Sequence, residues 1–173
     1  YKRQICSSGA PVSLFSLLGG SPNAGGVWTK PNNQVFGGTY DPANATHPEG
    51  VYTYTVSGLA PCANATAFVV VNEEQQPVAG SNGTAAVCSD APAFDLFDEL
   101  GGSPNNGGAW TGPGASPSSG VFIPGTSLPG VYTYTVAGVA PCTNASAAVT
   151  VTVNQAPFAG NDGSITVCSD QLV

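Results

Sequence analysis

The segment Gly50–Val56, with the sequence GVYTYTV, recurs without a change 80 positions later as Gly130–Val136. Its bulky and small side chains alternate with a period of two, which predicts a half-buried β-strand. Each copy is followed by a Gly-x-Ala-Pro-Cys ending, at Gly58–Cys62 and at Gly138–Cys142. A duplication of this length indicates a tandem repeat whose unit is about 80 residues long.

The repeat divides the 173 residues into two units and a remainder. We expect the first unit over residues 1–76, with an incomplete leading strand, and the second over residues 77–156. Residues 157–173 repeat the start of a unit, and two interpretations are open. They begin a third repeat of a longer array, or they complete the first domain of another copy by strand donation and build a head-to-tail filament.

The cysteines bear on that choice and on the fold. The spacing favours one disulfide in each unit, Cys6–Cys62 and Cys88–Cys142, with Cys168 unpaired within the chain. A donated strand that ran through Cys168 would compete with Cys6, so the third repeat is favoured unless the donated part stops near Gly163. A zinc site is disfavoured, because no two cysteines lie within four residues of each other. Disulfides predict an oxidising, extracellular or cell-surface location.

The composition excludes several classes of protein. Only 8% of the residues are charged and the net charge is −7, whereas a nucleic-acid surface needs clustered Lys and Arg. No segment approaches the roughly 20 apolar residues of a membrane span, so direct membrane insertion is not expected. The 23 glycines and 15 prolines suit many short strands joined by tight turns.

These features predict an all-β chain of tandem immunoglobulin-like β-sandwich domains. Each domain is expected to hold one disulfide and to have room for one short helical turn, near residues 11–20 and 92–102, where Asp95 resembles a helix cap. Tyr52 and Tyr132, just after a glycine, stand where a tyrosine corner would be. The predicted core aromatic residues are Trp28, Tyr52, Tyr54, Trp110, Tyr132 and Tyr134.

The second repeat carries the run Val-Cys-Ser-Asp-x-Pro, then Asp95–Gly102, Gly107–Gly112, Pro129–Val136 and Ala140–Cys142. This combination resembles the immunoglobulin-like or PKD-like repeats of very long surface proteins in gliding Bacteroidetes-type bacteria. The resemblance implies a building block of an adhesin or stalk, exported by the type IX system, with no catalytic residues. The first repeat departs from the pattern by carrying serines where the second has Asp95 and Asp98.

Catalytic and metal chemistry have little support in the sequence, and we expect no enzyme and no cofactor. The single histidine, His47, lies in the length-variable segment and has no counterpart in the second repeat. We therefore expect it to be a surface loop residue. Calcium is the cofactor that the acidic residues would suit best. The acidic candidates are Asp90, Asp95, Asp98 and Glu99, with Asp162 and Asp170 weaker; most read as turn and helix-start residues.

Several residues are candidates for surface contacts. Phe68 and Val70 face outward on the predicted last strand, which indicates either an apolar surface under a loop or a contact with a neighbouring repeat or another copy. Aromatic residues of the loops, Phe36, Tyr40 and Phe122, would mark a module that binds surface glycans. Four Asn-x-Ser/Thr sequons are candidate glycosylation acceptors, at Asn44, Asn64, Asn82 and Asn144.

The sequence therefore favours a structural and interaction protein, the repeat unit of an extracellular adhesin, stalk or surface filament. Its expected partners are other copies or neighbouring repeats. A carbohydrate- or calcium-binding module that uses the length-variable loops is the alternative.

Overall fold

A computed structural model describes residues 2–166 of the chain. The first domain contains seven strands, β1 (Lys2–Cys6), β2 (Val12–Ser13), β3 (Val27–Thr29), β4 (Val35–Phe36), β5 (Thr39–Tyr40), β6 (Gly50–Val56) and β7 (Ala65–Glu74). The second domain repeats them as β8 (Gly83–Cys88), β9 (Phe94–Asp95), β10 (Ala109–Thr111), β11 (Pro117–Ser118), β12 (Val121–Phe122), β13 (Gly130–Val136) and β14 (Ala145–Asn154). The duplicated sequence is the central strand of each domain, β6 and β13.

Each domain is a sandwich of a five-stranded and a two-stranded sheet. The larger sheets have the orders β1-β7-β6-β3-β4 and β8-β14-β13-β10-β11, and the smaller ones pair β2 with β5 and β9 with β12. In each domain the first strand along the chain pairs in parallel with the last one, β1 with β7 and β8 with β14. This pairing places Cys6 opposite Glu74 and Cys88 opposite Asn154. The chain is thus an all-β tandem of immunoglobulin-like sandwiches, as predicted.

A short 3-10 helix precedes each Gly-Gly pair, at Phe15–Leu17 and at Leu96–Glu99. In the second domain the Asp95 side chain accepts a hydrogen bond from the Phe97 backbone N–H at 2.9 Å, which satisfies one of the unpaired donors at the start of the turn. A further turn, Pro113–Ala115, follows β10, and the positive φ of Gly114 (+71°) and Ala115 (+60°) sets it apart from a regular 3-10 helix.

The duplicated strand places its tyrosines in the core. Tyr52 donates its hydroxyl to the Pro48 carbonyl oxygen at 2.7 Å, and Tyr132 donates to that of Leu128 at 2.8 Å, so each hydroxyl bonds to the backbone four residues upstream. Tyr54 packs on Trp28 with ring centroids 5.1 Å apart, as Tyr134 does on Trp110. All six of these aromatic side chains are buried.

The expected disulfides, Cys6–Cys62 and Cys88–Cys142, are wrong. Cys6 lies at the end of β1, beside the end of β7, whereas Cys62 lies before the start of β7. A ten-residue strand is roughly 30 Å long, and a disulfide needs Cα atoms about 4.4–6.8 Å apart. The structure instead joins Cys6 to Cys142, from one domain to the other, and leaves Cys62 and Cys88 as exposed thiols.

Candidate functional site: the junction between the domains

The junction consists of the end of β1, the connection from β7 to the second domain, and the loop between β13 and β14. The Cys6–Cys142 disulfide closes it, with the two Cα atoms 5.0 Å apart although 136 residues separate the cysteines in sequence. Cys142 lies in the repeated Gly-x-Ala-Pro-Cys ending, between β13 and β14. The bridge therefore joins the C-terminal end of one sandwich to the N-terminal end of the next.

Gln76 holds the connecting segment on both sides of the junction. Its backbone N–H donates to Ser7 Oγ at 2.9 Å, and its side-chain oxygen accepts from Ser8 Oγ at 3.0 Å. Its side-chain nitrogen donates across the junction to the Thr143 carbonyl oxygen at 3.0 Å. One glutamine thus bonds to the end of β1 and to the loop of Cys142, which restricts rotation of one domain against the other.

Sequence reasoning did not single out Gln76 or Thr143. The available signal was the shortness of the connection between β7 and the leading segment of the second domain, where a polar side chain can reach both units. A glutamine at that place carries no pattern of its own, so only its position in the fold gives it a role.

Within residues 2–166, the free cysteines Cys62 and Cys88 lie in places that match the bonded pair. The Cys62 N–H donates to the Leu59 carbonyl oxygen at 2.8 Å, and the Cys142 N–H donates to that of Val139 at 2.8 Å. Asn64 and Asn144 close these loops alike, each accepting a backbone N–H of a glycine, Gly58 or Gly138, at 3.0 Å. The loop of Cys62 is thus shaped like the loop that holds Cys142.

The end of the second domain likewise repeats the end of the first. Ser89 N–H donates to the Asn154 carbonyl oxygen at 2.9 Å, as Ser7 N–H does to that of Glu74. Ser89 Oγ then accepts from the Ala156 N–H at 3.0 Å, as Ser7 Oγ does from Gln76. Cys88 therefore has the backbone setting of Cys6 without its partner. Cys168 lies outside the described residues.

The loop aromatics are not the exposed set that glycan binding would need. Tyr40 and Phe122 are fully buried, each packed edge-on against the corner tyrosine, Tyr52 or Tyr132, with ring centroids 5.7 Å apart. Phe36 is half-buried and packs on Tyr52. The prediction that these rings form an exposed binding surface is wrong, because the short sheet of each sandwich buries one of them, Tyr40 or Phe122, in the core.

Of the other contact candidates, Phe68 is 57% exposed on β7 and Val70 is half-buried beside β1 and β6. Tyr40 is buried, so it does not belong to such a surface. Phe68 is accessible for a contact, and a contact surface on this strand stays a prediction.

Buried tyrosines of both cores have a raised pKa. Burial, together with the hydrogen bond to Glu73 and the charge of that carboxylate, raises the pKa of Tyr40 well above its usual range. Burial raises the pKa of Tyr52 to about 12 and also raises that of Tyr132. These groups stay protonated and neutral in the folded state, which suits packing and hydrogen bonding rather than proton transfer.

The remaining candidates have structural partners. His47 Nδ1 accepts from the Asp41 N–H at 3.0 Å, and the His47 ring packs against Phe36. Asn44 closes its own turn by accepting from the Thr46 N–H at 3.0 Å, and Asn82 Oδ1 accepts from the Ala148 N–H at 2.9 Å.

The acidic residues do not converge in the described part of the chain. Between residues 2 and 166, no three His, Cys, Asp or Glu side chains are grouped as metal ligands. Asp95 caps its 3-10 turn instead. Over the same residues, no helix has the length and apolar character needed to cross a membrane.

No family model matches the sequence, and no curated protein matches it. Among solved structures, the I-band fragment I67–I69 from titin aligns with a TM-score of 0.53 at 12% identity, over 88% of this chain and 62% of that one. An E-to-A mutated variant of titin domains I67–I69 gives 0.51 at 12% identity over the same shares. The chain thus spans 62% of the length of these three-domain fragments, and the likeness is one of fold, tandem immunoglobulin-like domains.

Proposed function

We propose that the chain is a stiff spacer segment of an extracellular surface protein. The Cys6–Cys142 bridge carries the proposal, because it joins two domains instead of strengthening one. A bridge inside a domain would leave the connection between domains free to bend. The bridge and the contacts of Gln76 together fix the connection at two places, which favours a defined domain arrangement.

The location follows from the same bridge. Structural disulfides form and persist in oxidising compartments, outside the cytosol. Together with the resemblance to surface repeats of gliding bacteria, this supports a role in a stalk or adhesin, with neighbouring repeats as partners. Antibody labelling of intact producing cells tests the location: labelling before lysis is expected, and labelling only after lysis contradicts a surface role.

The stiffness is tested by measuring the distance between the domains. We expect a narrow distribution of distances between a spin label on each domain in the wild type and a broad distribution in Cys142→Ser. Cys62→Ser is the matched control, because it removes the equivalent cysteine without touching the junction, and it should keep the narrow distribution. A Cys142→Ser variant whose distribution stays narrow would contradict the spacer role of the bridge.

A further inference from the structure

Two rings cover the corner tyrosine of the first domain, Tyr52. The ring of Phe36 packs on Tyr52 with centroids 5.1 Å apart, and the ring of His47 packs edge-on against Phe36 at 5.4 Å. Lys30 Nζ donates to the Thr46 carbonyl oxygen at 2.8 Å, which holds the loop that carries His47. Side chains of the first domain therefore fill the space beside its corner tyrosine.

In the second domain a serine takes the place of Phe36. The strand pairing puts Phe36 opposite Trp28 in the first domain. The same pairing puts Ser118 opposite Trp110 in the second. The phenyl ring beside the corner tyrosine is thereby replaced by a single hydroxyl-bearing carbon.

A serine also takes the bonding role of His47. In the first domain the Asp41 N–H donates to His47 Nδ1 at 3.0 Å. In the second domain the Ile123 N–H donates to Ser127 Oγ at 3.0 Å. The contact that closes the loop is kept, but the imidazole ring is lost.

The third exchange replaces Lys30 by Gly112 at the end of the tryptophan strand. Lys30 N–H donates to the Gln34 carbonyl oxygen at 2.8 Å. Gly112 N–H donates to that of Ser116 at 2.6 Å. A Cβ on Gly112 would lie 3.1 Å from Tyr132 Cε1, so the glycine keeps a side chain off the tyrosine ring.

These exchanges leave a cavity beside the corner tyrosine of the second domain, which we call the serine pocket. It has a volume of about 300 Å³. Its lining includes Gly112, Ser116, Ser118, Ser119, Ser127 and Tyr132.

The serine pocket belongs to the second domain alone. All of its lining residues lie within residues 112–132. None of them is among the residues that form the junction, which the Cys6–Cys142 bridge and Gln76 hold together. The pocket is therefore a feature of this domain's own loops.

The hydroxyls of the pocket can donate hydrogen bonds to a ligand. Ser118 Oγ accepts from the Gly120 N–H at 3.2 Å. Ser119 Oγ accepts from the Val121 N–H at 3.3 Å. A hydroxyl that accepts in this way keeps its own hydrogen for another acceptor.

Apolar side chains stand around these hydroxyls. Val121, Ile123 and Leu128 line the pocket and are 43%, 48% and 69% exposed. No residue of the lining is charged. The pocket thus suits an uncharged ligand that has an apolar face and several hydrogen-bonding groups.

From these observations we propose that the serine pocket of the second domain binds one ring of a neutral sugar, as part of a surface glycan. A pyranose ring has an apolar C–H face that can pack against Tyr132, as the ring of Phe36 packs on Tyr52. Its oxygens can accept hydrogen bonds from Ser118 and Ser119. The inference goes beyond the spacer role and does not depend on it.

The size and the polarity of the pocket favour a sugar over other ring-shaped ligands. Pockets for small molecules span roughly 300–1,000 Å³, so this one has room for a single ring. An aromatic side chain of a partner protein would cover the hydroxyls of Ser118 and Ser119 without accepting their hydrogens, which costs free energy. Recognition therefore rests on these hydroxyls and on Tyr132, rather than on exposed loop aromatics.

Amide chemical shifts of the whole chain test the binding. Methyl glycosides of glucose, galactose, mannose and N-acetylglucosamine are titrated one at a time. We expect at least one of them to shift resonances within residues 112–128 and to leave the matching loops of the first domain, residues 30–48, unshifted. No shift with any of the four, or equal shifts in both domains, would overturn the proposal.

A phenyl ring placed in the pocket should block it. Ser118→Phe supplies the ring that the first domain has in Phe36, and the affinity should fall roughly tenfold or more. Ser103→Phe is the matched control, because Ser103 is exposed and does not line the pocket, and it should bind like the wild type. Equal affinities of Ser118→Phe and the wild type would show that the sugar binds elsewhere.

A smaller change keeps the test decisive if Ser118→Phe does not fold. Ser118→Ala removes one hydroxyl without adding volume, and the affinity should fall roughly fivefold. Ser146→Ala changes an exposed serine of β14 outside the pocket and should leave the affinity as it is. An unchanged affinity in Ser118→Ala would overturn the proposed hydrogen bond. Binding of phenol in preference to all four glycosides would overturn the sugar and favour an aromatic side chain.

Discussion

Tyr40 and Phe122 occupy equivalent positions in the short sheets, but only the tyrosine carries a hydroxyl. That hydroxyl donates to Glu73 Oε2 at 2.9 Å. Burial and the neighbouring carboxylate both favour its neutral form. The core of the first domain thus holds two tyrosines with raised pKa, Tyr40 on the short sheet and Tyr52 on the large sheet, whereas the second domain has Phe122 at the place of Tyr40.

This difference predicts that the first domain is the more sensitive to alkali. An unfolded tyrosine ionises near pH 10. The stability that comes from keeping Tyr40 and Tyr52 neutral is therefore fully present below pH 10 and is lost as the pH rises towards their folded pKa values. Each such group lowers the free energy of unfolding by about 1.4 kcal/mol per pH unit in that window.

Tyr40→Phe should reduce this loss. We expect the variant to lose about 1 kcal/mol less than the wild type between pH 8 and pH 11. Urea titrations followed by Trp28 fluorescence in a Trp110→Phe background measure the first domain alone. At pH 8 the variant should be less stable by about 1 kcal/mol, from the lost hydrogen bond to Glu73. If the free energy of unfolding fell equally in the two proteins between pH 8 and pH 11, Tyr40 would not be a source of the sensitivity to alkali.

The turn before the tryptophan strand depends on a glycine. Gly26 N–H donates to Tyr54 Oη at 2.7 Å, and Tyr54 in turn donates to the Asn23 carbonyl oxygen at 2.8 Å. A Cβ on Gly26 would lie 2.5 Å from Tyr54 Cζ and 2.6 Å from the Thr55 carbonyl oxygen. Gly108 makes the same contact with Tyr134. In both domains the tyrosine ring therefore packs against a glycine, where a side chain would collide with it.

Gly26→Ala should accordingly destabilise the first domain by about 1–3 kcal/mol, through overpacking against a ring and a strand. Gly19→Ala is the matched control, because its Cβ would meet no atom within 4 Å, and it should stay within about 0.5 kcal/mol of the wild type. Urea denaturation of both variants gives the comparison. Equal midpoints for the two variants would mean that β3 and β6 can move apart at no cost.

The strands, the short helical turns and the corner hydrogen bonds could be predicted because each has a local signature in the sequence. Alternation marks β6 and β13, and Asp95 marks the capped turn. The disulfide pairing could not be predicted, because cysteines that repeat about every 80 residues fit bridges within units and bridges between units equally well. The deciding fact is that β1 runs parallel to β7, which puts Cys6 at the far end from Cys62. Parallel pairing with a strand about 70 residues away has no local signature.

At the scale of the whole molecule, the bridge couples the stability of the two domains. Closing a loop across a sequence separation of 136 residues lowers the conformational entropy of the unfolded chain. In the chain-entropy model this raises the free energy of unfolding by about 5 kcal/mol. Cys6→Ser should therefore lower the melting temperature measured by calorimetry, as should reduction of the wild type. Cys88→Ser, at the equivalent but unbonded place, should leave it unchanged. An unchanged melting temperature in Cys6→Ser would show that the bridge adds no constraint beyond the folded domains.

The position of the bridge also determines how the molecule responds to pulling. A force applied at the two ends enters at β1, crosses the sulfur–sulfur bond from Cys6 to Cys142, and leaves through β14, so residues 7–141 carry little of the load. At about 3.3–3.6 Å per extended residue, the 136-residue loop keeps roughly 450–490 Å of chain from unravelling. Tension along the chain would meet a covalent tether at each junction of this type. The maximum length of the stretched chain would therefore depend on whether its surroundings oxidise or reduce the bridge.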